Sequence, residues 1–574
     1  MSPDKPDWNC DEWEFDKVNN AMEKVVQYTL LTLDELLTAV AGYVVGRESG
    51  NAVFTSVVTD SRNVKTDSLF VPLIGEFQDG HKYIPQALEK GASVVFVAQS
   101  EYEKNKEYYE NLAGRRHSEG CGLTEDNYVG NVERGDRDFA TFICVKNTLD
   151  ALQAAAKAYV KKFPKLIRIG ITGSSGKTTT KELAVSLVKQ KYRVVYSEGN
   201  FNSETGLPLS VFKIKGDEQI GIFEMGMNHK GEIEDLTDIL RPQYALITNI
   251  GTAHIGLLGS RHNIAEEKKK IFKYIGKDGA AFIPRADDFA DFLAKGVRGD
   301  VIRFGIGDFT AAAANGQADA AVSDQSGASA AGSGPAVAAS GAAISSSSGA
   351  AVPPLKNITD LGIGGTKFDY RGISIHLPLP GAYNLLNASA AIALAEKLEL
   401  SPPQIKKGIE SVAAMEGRNR VFDFTVRGKK LTVFEDCYNA NPDSVEKVLS
   451  LCLSVKGTKC LVLGDMLELG QESSDAHAAV GKSCVKFASE KDTKFVFVGP
   501  EMQKAAMAAE ENGIKDIRVF KSYTDEDIKT IVSDVILRLP CDTFILLKGS
   551  HGIGLERVTR QLQNMLGEAE NEYV

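Results

Sequence analysis

The sequence predicts an α/β protein with parallel sheets. A Gly-rich turn joins a strand to a helix at residues 166–181, short apolar strands alternate with helices after it, and a second alternation begins near Leu431. Parallel strands are covered on both faces by their crossover helices, so they read as continuous apolar runs. The second region shows no obvious repeat of the first and predicts a separate C-terminal α/β domain. A chain of 574 residues exceeds what one core supports and is expected to divide into roughly three or four domains.

The turn reads LIRIGITGSSGKTTTK. An apolar strand stops at Thr172, and Gly173 and Gly176, with Ser174 and Ser175 between them, let backbone N–H groups crowd round an anion. Lys177 adds positive charge, a hydroxyl of Thr178 or Thr179 can hold Mg²⁺, and the next helix offers its positive end. The ligand these features predict is a nucleoside triphosphate. The pattern is the shorter GxxGKTT form, because Ile171 stands where the full pattern has Gly.

Downstream, RVVYS, IGIFEMG, YALITNI and AAFIP predict buried strands and KELAVSLVKQ a helix, while LTVFEDC, CLVLGDM, KFVFVG and TFILLKG predict the strands of the last third. Open α/β sheets bind ligands at the carboxyl ends of their strands, and the candidate residues gather there. Glu224 ends a strand one element after the phosphate loop, so its carboxylate either reaches a metal on the nucleotide or faces solvent. His254 follows another strand in a Gly-rich loop, a position open to a ligand role and to a structural one. Lys268, in NIAEEKKKIF, reads by itself as one of three solvated lysines paired with Glu266 and Glu267 on a helix face.

Asp436 ends a strand before CYNANPDS, and an acid there suits a ribose hydroxyl. A helix start capped by Asp443 or Ser444 accounts for the Asn, Pro and Asp equally well. KGSHGIG at residues 548–554 places a basic residue and small residues after a strand, as an anion site requires. Near the N-terminus, Ser61, Arg62, Asp79 and His81 fall in loops flanking a strand and suggest a polar binding loop.

Two segments read as insertions. Residues 311–354 are almost wholly Ala, Gly and Ser and cannot bury enough apolar surface to offset the entropy of ordering, so a disordered loop is expected. Residues 101–137 are polar and charged, interrupt a pattern running from VVFVA to FATFICV, and are expected to form a surface excursion. A formal net charge of −10 supplies no basic field for nucleic acid. No apolar run is long enough to span a bilayer, and the acidic start lacks the regions of a signal peptide. Eight cysteines without CxxC pairing or metal-ligand spacing are expected to be reduced thiols in a cytoplasmic protein.

The strings ITGSSGKTTTKE, GNFNSETGLPLS, EMGMNHKGEI, TNIGTAHIGLLGS, GAYNLLNA, DCYNANPDS, GDMLELG and KGSH occur in the order of the Mur ligases, and from about residue 27 to 565 the chain resembles that family outside the insertions. The resemblance implies a three-domain architecture after a flexible acidic leader at 1–26. Its parts are a UDP-substrate-binding domain at 27–150, a central parallel-sheet ATP-binding domain at 151–416 and a C-terminal Rossmann-like ligase domain at 417–574. The implied activity is an ATP-dependent ligation of D-alanyl-D-alanine to UDP-N-acetylmuramoyl-tripeptide through an acyl phosphate, by a monomer. A sibling ligase with another acceptor and a non-catalytic nucleotide-binding relative remain open alternatives.

The resemblance also implies roles. Lys177 and the loop from Gly173 to Thr179 would hold the β- and γ-phosphates, and Thr178 the first Mg²⁺. Glu224, His254 and a carbamylated Lys268 would hold the second, which reverses the solvated reading of Lys268. Asn202, Ser203, Glu204 and Thr205 would face substrate and metal, and Ser61 and Arg62, with the EFQDGH loop, would meet the UDP end. Arg418 and Asp436 would contact phosphate and ribose, with Tyr438 and Asn439 in the loop beside them and Asn441 on the substrate side. Asn384 and Asn387 fall in a helix-start motif with a structural or inter-domain role. Lys270 departs from the pattern, which commonly has an acid there; Arg285 stands where an asparagine is expected to touch adenine, and His551 where the KGSR string has arginine.

Overall fold

The computed structural model describes residues 29–46, 52–75, 78–113, 140–253, 255–306, 353–415, 417–426, 428–487 and 492–571. The acidic leader, His254 and nearly all of the Ala/Gly/Ser segment lie outside the described residues, as does 114–137 of the expected surface excursion. The described residues divide into two compact units, the first taking Met1–Gly170, Val194–Met227 and Gly231–Pro242, the second Ile171–Arg193, Asn228–Lys230 and Gln243–Val574.

In the first unit, strands β1 (Tyr43–Val45), β2 (Ser56–Val58), β3 (Ser68–Phe70), β4 (Ala92–Ala98) and β5 (Thr141–Val145) form a sheet in the order β1-β5-β4-β3-β2. All neighbours are parallel except β1 and β5. Residues 101–113 are a correction to the expected surface excursion. Apart from Asn105, which joins them, they belong to the helices Gln99–Lys104 and Lys106–Ala113, whose Tyr102, Tyr109, Leu112 and Ala113 pack into the same core as β4 and β5. The first unit also holds the opening residues of β6 (Ile167–Thr172), with β7 (Val194–Tyr196) and β8 (Ile220–Glu224) in the order β6-β8-β7.

In the second unit, the end of β6 is followed outward by β9 (Tyr244–Ile247), β10 (Ala280–Pro284) and β11 (Asp300–Phe304), with β9, β10 and β11 parallel. A small antiparallel sheet, β12 (Lys356–Asp360), β13 (Thr366–Tyr370) and β14 (Ile373–Leu377), was not expected from the sequence; its first strand is polar and leaves most residues in contact with solvent.

The last sheet contains β15 (Arg420–Val426), β16 (Lys429–Asp436), β17 (Lys459–Gly464), β18 (Thr493–Val498), β19 (Ile517–Phe520) and β20 (Thr543–Lys548), ordered β15-β16-β20-β17-β18-β19. Only β15 runs antiparallel to its neighbour. Every residue of β17, β18 and β20 is buried or nearly so, as strands covered on both faces require. One face is packed by Val445, Leu449, Val480 and Met502 from three helices, the other by Ile528, Val532, Val558 and Leu562. The connections leaving β16 and β20 therefore run to opposite faces, which opens a crevice at their carboxyl ends.

Candidate functional site

The phosphate loop is built by two glycines and held by one asparagine. Gly173 and Gly176 have φ of +153° and +77°, a Cβ on Gly173 would lie 1.8 Å from Thr248 Oγ1, and one on Gly176 would lie 2.4 Å from Asn387 Oδ1. Only glycine fits these positions. Asn249, which follows β9, accepts Ser174 N at its carbonyl (3.1 Å) and Ser175 N at its Oδ1 (2.9 Å). Thr248 Oγ1 donates to Ser175 O at 2.6 Å, and Lys177 Nζ to Gly173 O at 2.9 Å. The helix Lys177–Val188 then runs away from the loop with its positive end toward it. Asn387 accepts from Thr180 Oγ1 at 3.3 Å and donates to Asn384 Oδ1 at 3.0 Å, so the helix-start motif braces the phosphate loop. The run YALITNI placed Asn249 within a buried strand, whereas β9 ends at Ile247; a polar pair, Thr248 and Asn249, near the end of that apolar run was the visible signal.

The solvated reading of Lys268 is corrected by its surroundings. The helix Arg261–Lys269 buries Ile264, Ala265, Glu267 and Lys268, and Lys268 Nζ has no hydrogen-bond partner among the described residues. Its pKa is driven well below the ordinary lysine value, first by burial and then by the charge of Lys177, with Glu267 opposing. Glu267 pairs instead with Lys270, at 2.8 Å, and Glu266 faces His262 at 3.4 Å. Burial favours the uncharged, nucleophilic form of the amine, which is the form that reacts with carbon dioxide to give a carbamate and a proton.

In the first unit, Glu224 ends β8, is 1% exposed and accepts Asn202 Nδ2 at 2.7 Å, while its backbone N–H donates to Ser197 Oγ at 2.9 Å. Asn202 O also accepts Gly226 N at 2.7 Å. Asn202 thus ties the segment before the helix Gly206–Val211 to the end of β8, a contact the sequence did not announce. Ser203 Oγ accepts Gly206 N at 3.2 Å, Glu204 O accepts Gln153 Nε2 at 3.3 Å, and Thr205 precedes the helix Gly206–Val211. Of the candidate UDP-binding residues, Ser61 is buried and donates to Gln86 Oε1 at 2.6 Å. Arg62 is exposed and pairs with Asp60 at 2.7 Å. His81 is buried, with Nδ1 2.5 Å from Asp79 Oδ1 and Nε2 accepting Ala98 N at 3.0 Å, so this histidine locks the loop to β4.

At the crevice of the last sheet, Asp436 and Lys548 lie opposite each other on β16 and β20 and pair at 3.1 Å; Lys548 Nζ also donates to Asn439 O. Arg418 lies 4.1 Å above the Tyr438 ring, and that ring stacks on His551 with centroids 5.3 Å apart at 26°. His551 thus takes an aromatic stacking place in the string where arginine was expected. Asn441, rather than Asp443 or Ser444, caps the helix Pro442–Ser454, accepting Ser444 N at 2.9 Å while its own N–H donates to Ser444 Oγ at 3.0 Å. Arg285 is exposed and donates its backbone N–H to Phe304 O at 2.8 Å, and the adjacent Asp287 Oδ2 accepts Ile250 N at 2.8 Å.

Among the described residues, no group of three or more His, Cys, Asp or Glu side chains is placed to hold a metal ion. No helix there is long and apolar enough to cross a membrane.

Comparison with known proteins defines the class. Residues 53–120 match the Mur ligase family catalytic domain, 171–395 the Mur ligase middle domain and 417–551 the Mur ligase glutamate ligase domain. The chain belongs to the Mur ligase family, with its α/β architecture of parallel sheets. Within that family it is 37% identical to the UDP-N-acetylmuramoyl-tripeptide–D-alanyl-D-alanine ligase of Treponema pallidum, over 92% of this chain and 98% of that one. It is 29% identical to the protein of the same name from Bacillus subtilis, with the same coverage. Among solved structures, MurF from Acinetobacter baumannii superposes with a TM-score of 0.68 at 24% identity, covering 93% of this chain and 98% of that one. MurF from Thermotoga maritima in complex with ADP gives 0.63 at 23% identity, covering 90% and 98%.

Proposed function

We propose that this chain is the ATP-dependent ligase that joins D-alanyl-D-alanine to UDP-N-acetylmuramoyl-tripeptide, giving the pentapeptide precursor of peptidoglycan. The Treponema pallidum relative carries that activity in its name. The observation that carries the chemistry is the buried amine of Lys268 beside the phosphate-loop cation Lys177.

A carboxylate is a poor electrophile. In the reaction one of its oxygens attacks the γ-phosphorus of ATP, ADP leaves, and an acyl phosphate forms. The amine of D-alanyl-D-alanine then attacks the acyl carbon, loses a proton, and the tetrahedral species collapses to amide and inorganic phosphate. The phosphate loop positions the γ-phosphate, and Lys177 stabilises the charge that gathers on its oxygens. Thr178, Glu224, His254 and a carbamate on Lys268 would hold Mg²⁺, which supplies further neutralisation of phosphate charge. The buried amine of Lys268, without a hydrogen-bond partner among the described residues, supports this reading, because a carbamate there would supply anionic oxygens to a metal ion.

Arg418 and Asp436, with Tyr438 and Asn439, serve the nucleotide from the 417–574 domain, while Asn441 shapes the substrate side by capping its helix. Asn202–Thr205 serve the substrate at the central domain, 151–416, and Arg62 the UDP end at the N-terminal domain, 27–150. The protein works as a cytoplasmic monomer in cell-wall synthesis, and so in cell shape and division. The test is phosphate release and product mass with ATP, Mg²⁺ and UDP-N-acetylmuramoyl-tripeptide, with and without D-alanyl-D-alanine. Release that requires the dipeptide, with a pentapeptide product, supports the reading; release with another amine, or none, overturns it.

A further inference from the structure

The helix Pro442–Ser454 carries a carboxylate that the roles above leave unused. With Asn441 as its cap, Asp443 is the second helical residue, where the helix's positive end already favours negative charge. Its Oδ2 nevertheless reaches the loop after β9, accepting Thr252 Oγ1 at 3.2 Å and Thr252 N at 3.4 Å. A Cβ on Gly251 would lie 2.8 Å from the same oxygen, so the loop backbone approaches the carboxylate as closely as a glycine allows. Gly251 N in turn donates to Ser174 Oγ at 2.9 Å, which ties this loop to the phosphate loop. Lys447, one turn further along the helix, sets its charge near Asp443. A second contact runs alongside, where Leu469 O lies 3.0 Å from the position of a Cβ on Gly256.

We propose that Asp443 is a positioning residue, a latch that fastens the ligase domain to the loop after β9 and so keeps water from the acyl phosphate. The inference rests on the ligase reading above. Attack by the dipeptide amine gives amide and phosphate; attack by water returns the carboxylate and phosphate, consuming ATP without product. A latched domain favours the first route by excluding water from the site.

The test compares Asp443→Ala, Asp443→Asn and Thr252→Ala in the full chain. Both Asp443 variants lose the charge at the helix end, but asparagine keeps an oxygen that can accept from Thr252. Two quantities are read: phosphate released per amide formed, and hydrogen–deuterium exchange in the loop after β9. The latch predicts that Asp443→Ala and Thr252→Ala raise the phosphate-to-amide ratio about twofold or more and speed exchange in that loop. Asp443→Asn should restore most of both. An exchange rate or a ratio in Asp443→Ala and Thr252→Ala equal to that of the unsubstituted chain overturns the latch. Absence of any amide from the unsubstituted chain would instead overturn the ligase reading, and the exchange measurement would still decide the latch.

Discussion

Burying an amine without a partner costs free energy, and Lys268 is 0% exposed with its Nζ unpaired among the described residues. The Lys268→Met variant keeps the side chain's length and removes the polar atom. It should raise stability by about 1–3 kcal/mol, read as a higher thermal midpoint, while abolishing ligation. The pH dependence has a definite sign. The unfolded chain holds the Lys268 proton up to about pH 10.4, whereas the folded chain releases it at a lower pH. Between those two values the unfolded state binds more protons, so folding stability rises with pH. In bicarbonate-free buffer, urea midpoints should climb toward pH 10 for the unsubstituted enzyme more steeply than for Lys268→Met. NIAEEKKKIF gives no local cue to this environment, because three lysines in a row look solvated whichever of them turns inward. Only the resemblance singled out Lys268. Conversely, Asp443 was read as a possible helix cap when Asn441 holds that place, since the spacing of Asn, Asp and Ser in NPDS suits either.

At the scale of elements, the strand-to-helix turn was legible because its glycines, lysine and threonines each have a necessary place in an anion cradle. The residues that brace it from elsewhere, Asn249 and Asn387, were not legible as such, since their partners lie 74 and 207 positions away in sequence. Gly176→Ala should abolish ATP binding by calorimetry. It imposes a Cβ at φ +77° and 2.4 Å from Asn387 Oδ1, and relief requires moving the brace or the loop. The Asn441→Ala variant loses the cap of the helix Pro442–Ser454 and should cost about 1 kcal/mol, measured from denaturant midpoints. Buried strands such as CLVLG and FILLK were found where their apolar runs predicted. The helix Lys106–Ala113 was hidden by its charge, because Lys106, Glu107 and Glu110 dominate the composition while Tyr109 and Leu112 carry the packing.

For the molecule as a whole, alternating strands and helices identified parallel α/β sheets, but strand order came only from the structure. The return of β20 to lie between β16 and β17 sets Lys548 beside Asp436, a pairing of residues 112 positions apart that no local pattern announces. A nucleotide that binds only the folded chain must stabilise it. At an ATP concentration of about one hundred times Kd the gain is about 2.7 kcal/mol, and Lys177→Ala should abolish the corresponding shift in thermal midpoint.

The most direct measurement follows one oxygen atom. UDP-N-acetylmuramoyl-tripeptide labelled with oxygen-18 in its reacting carboxylate is incubated with the enzyme, ATP and D-alanyl-D-alanine, and the released phosphate is analysed by mass. Activation as an acyl phosphate predicts one labelled oxygen in each phosphate that accompanies an amide. Amide formed with unlabelled phosphate would contradict it.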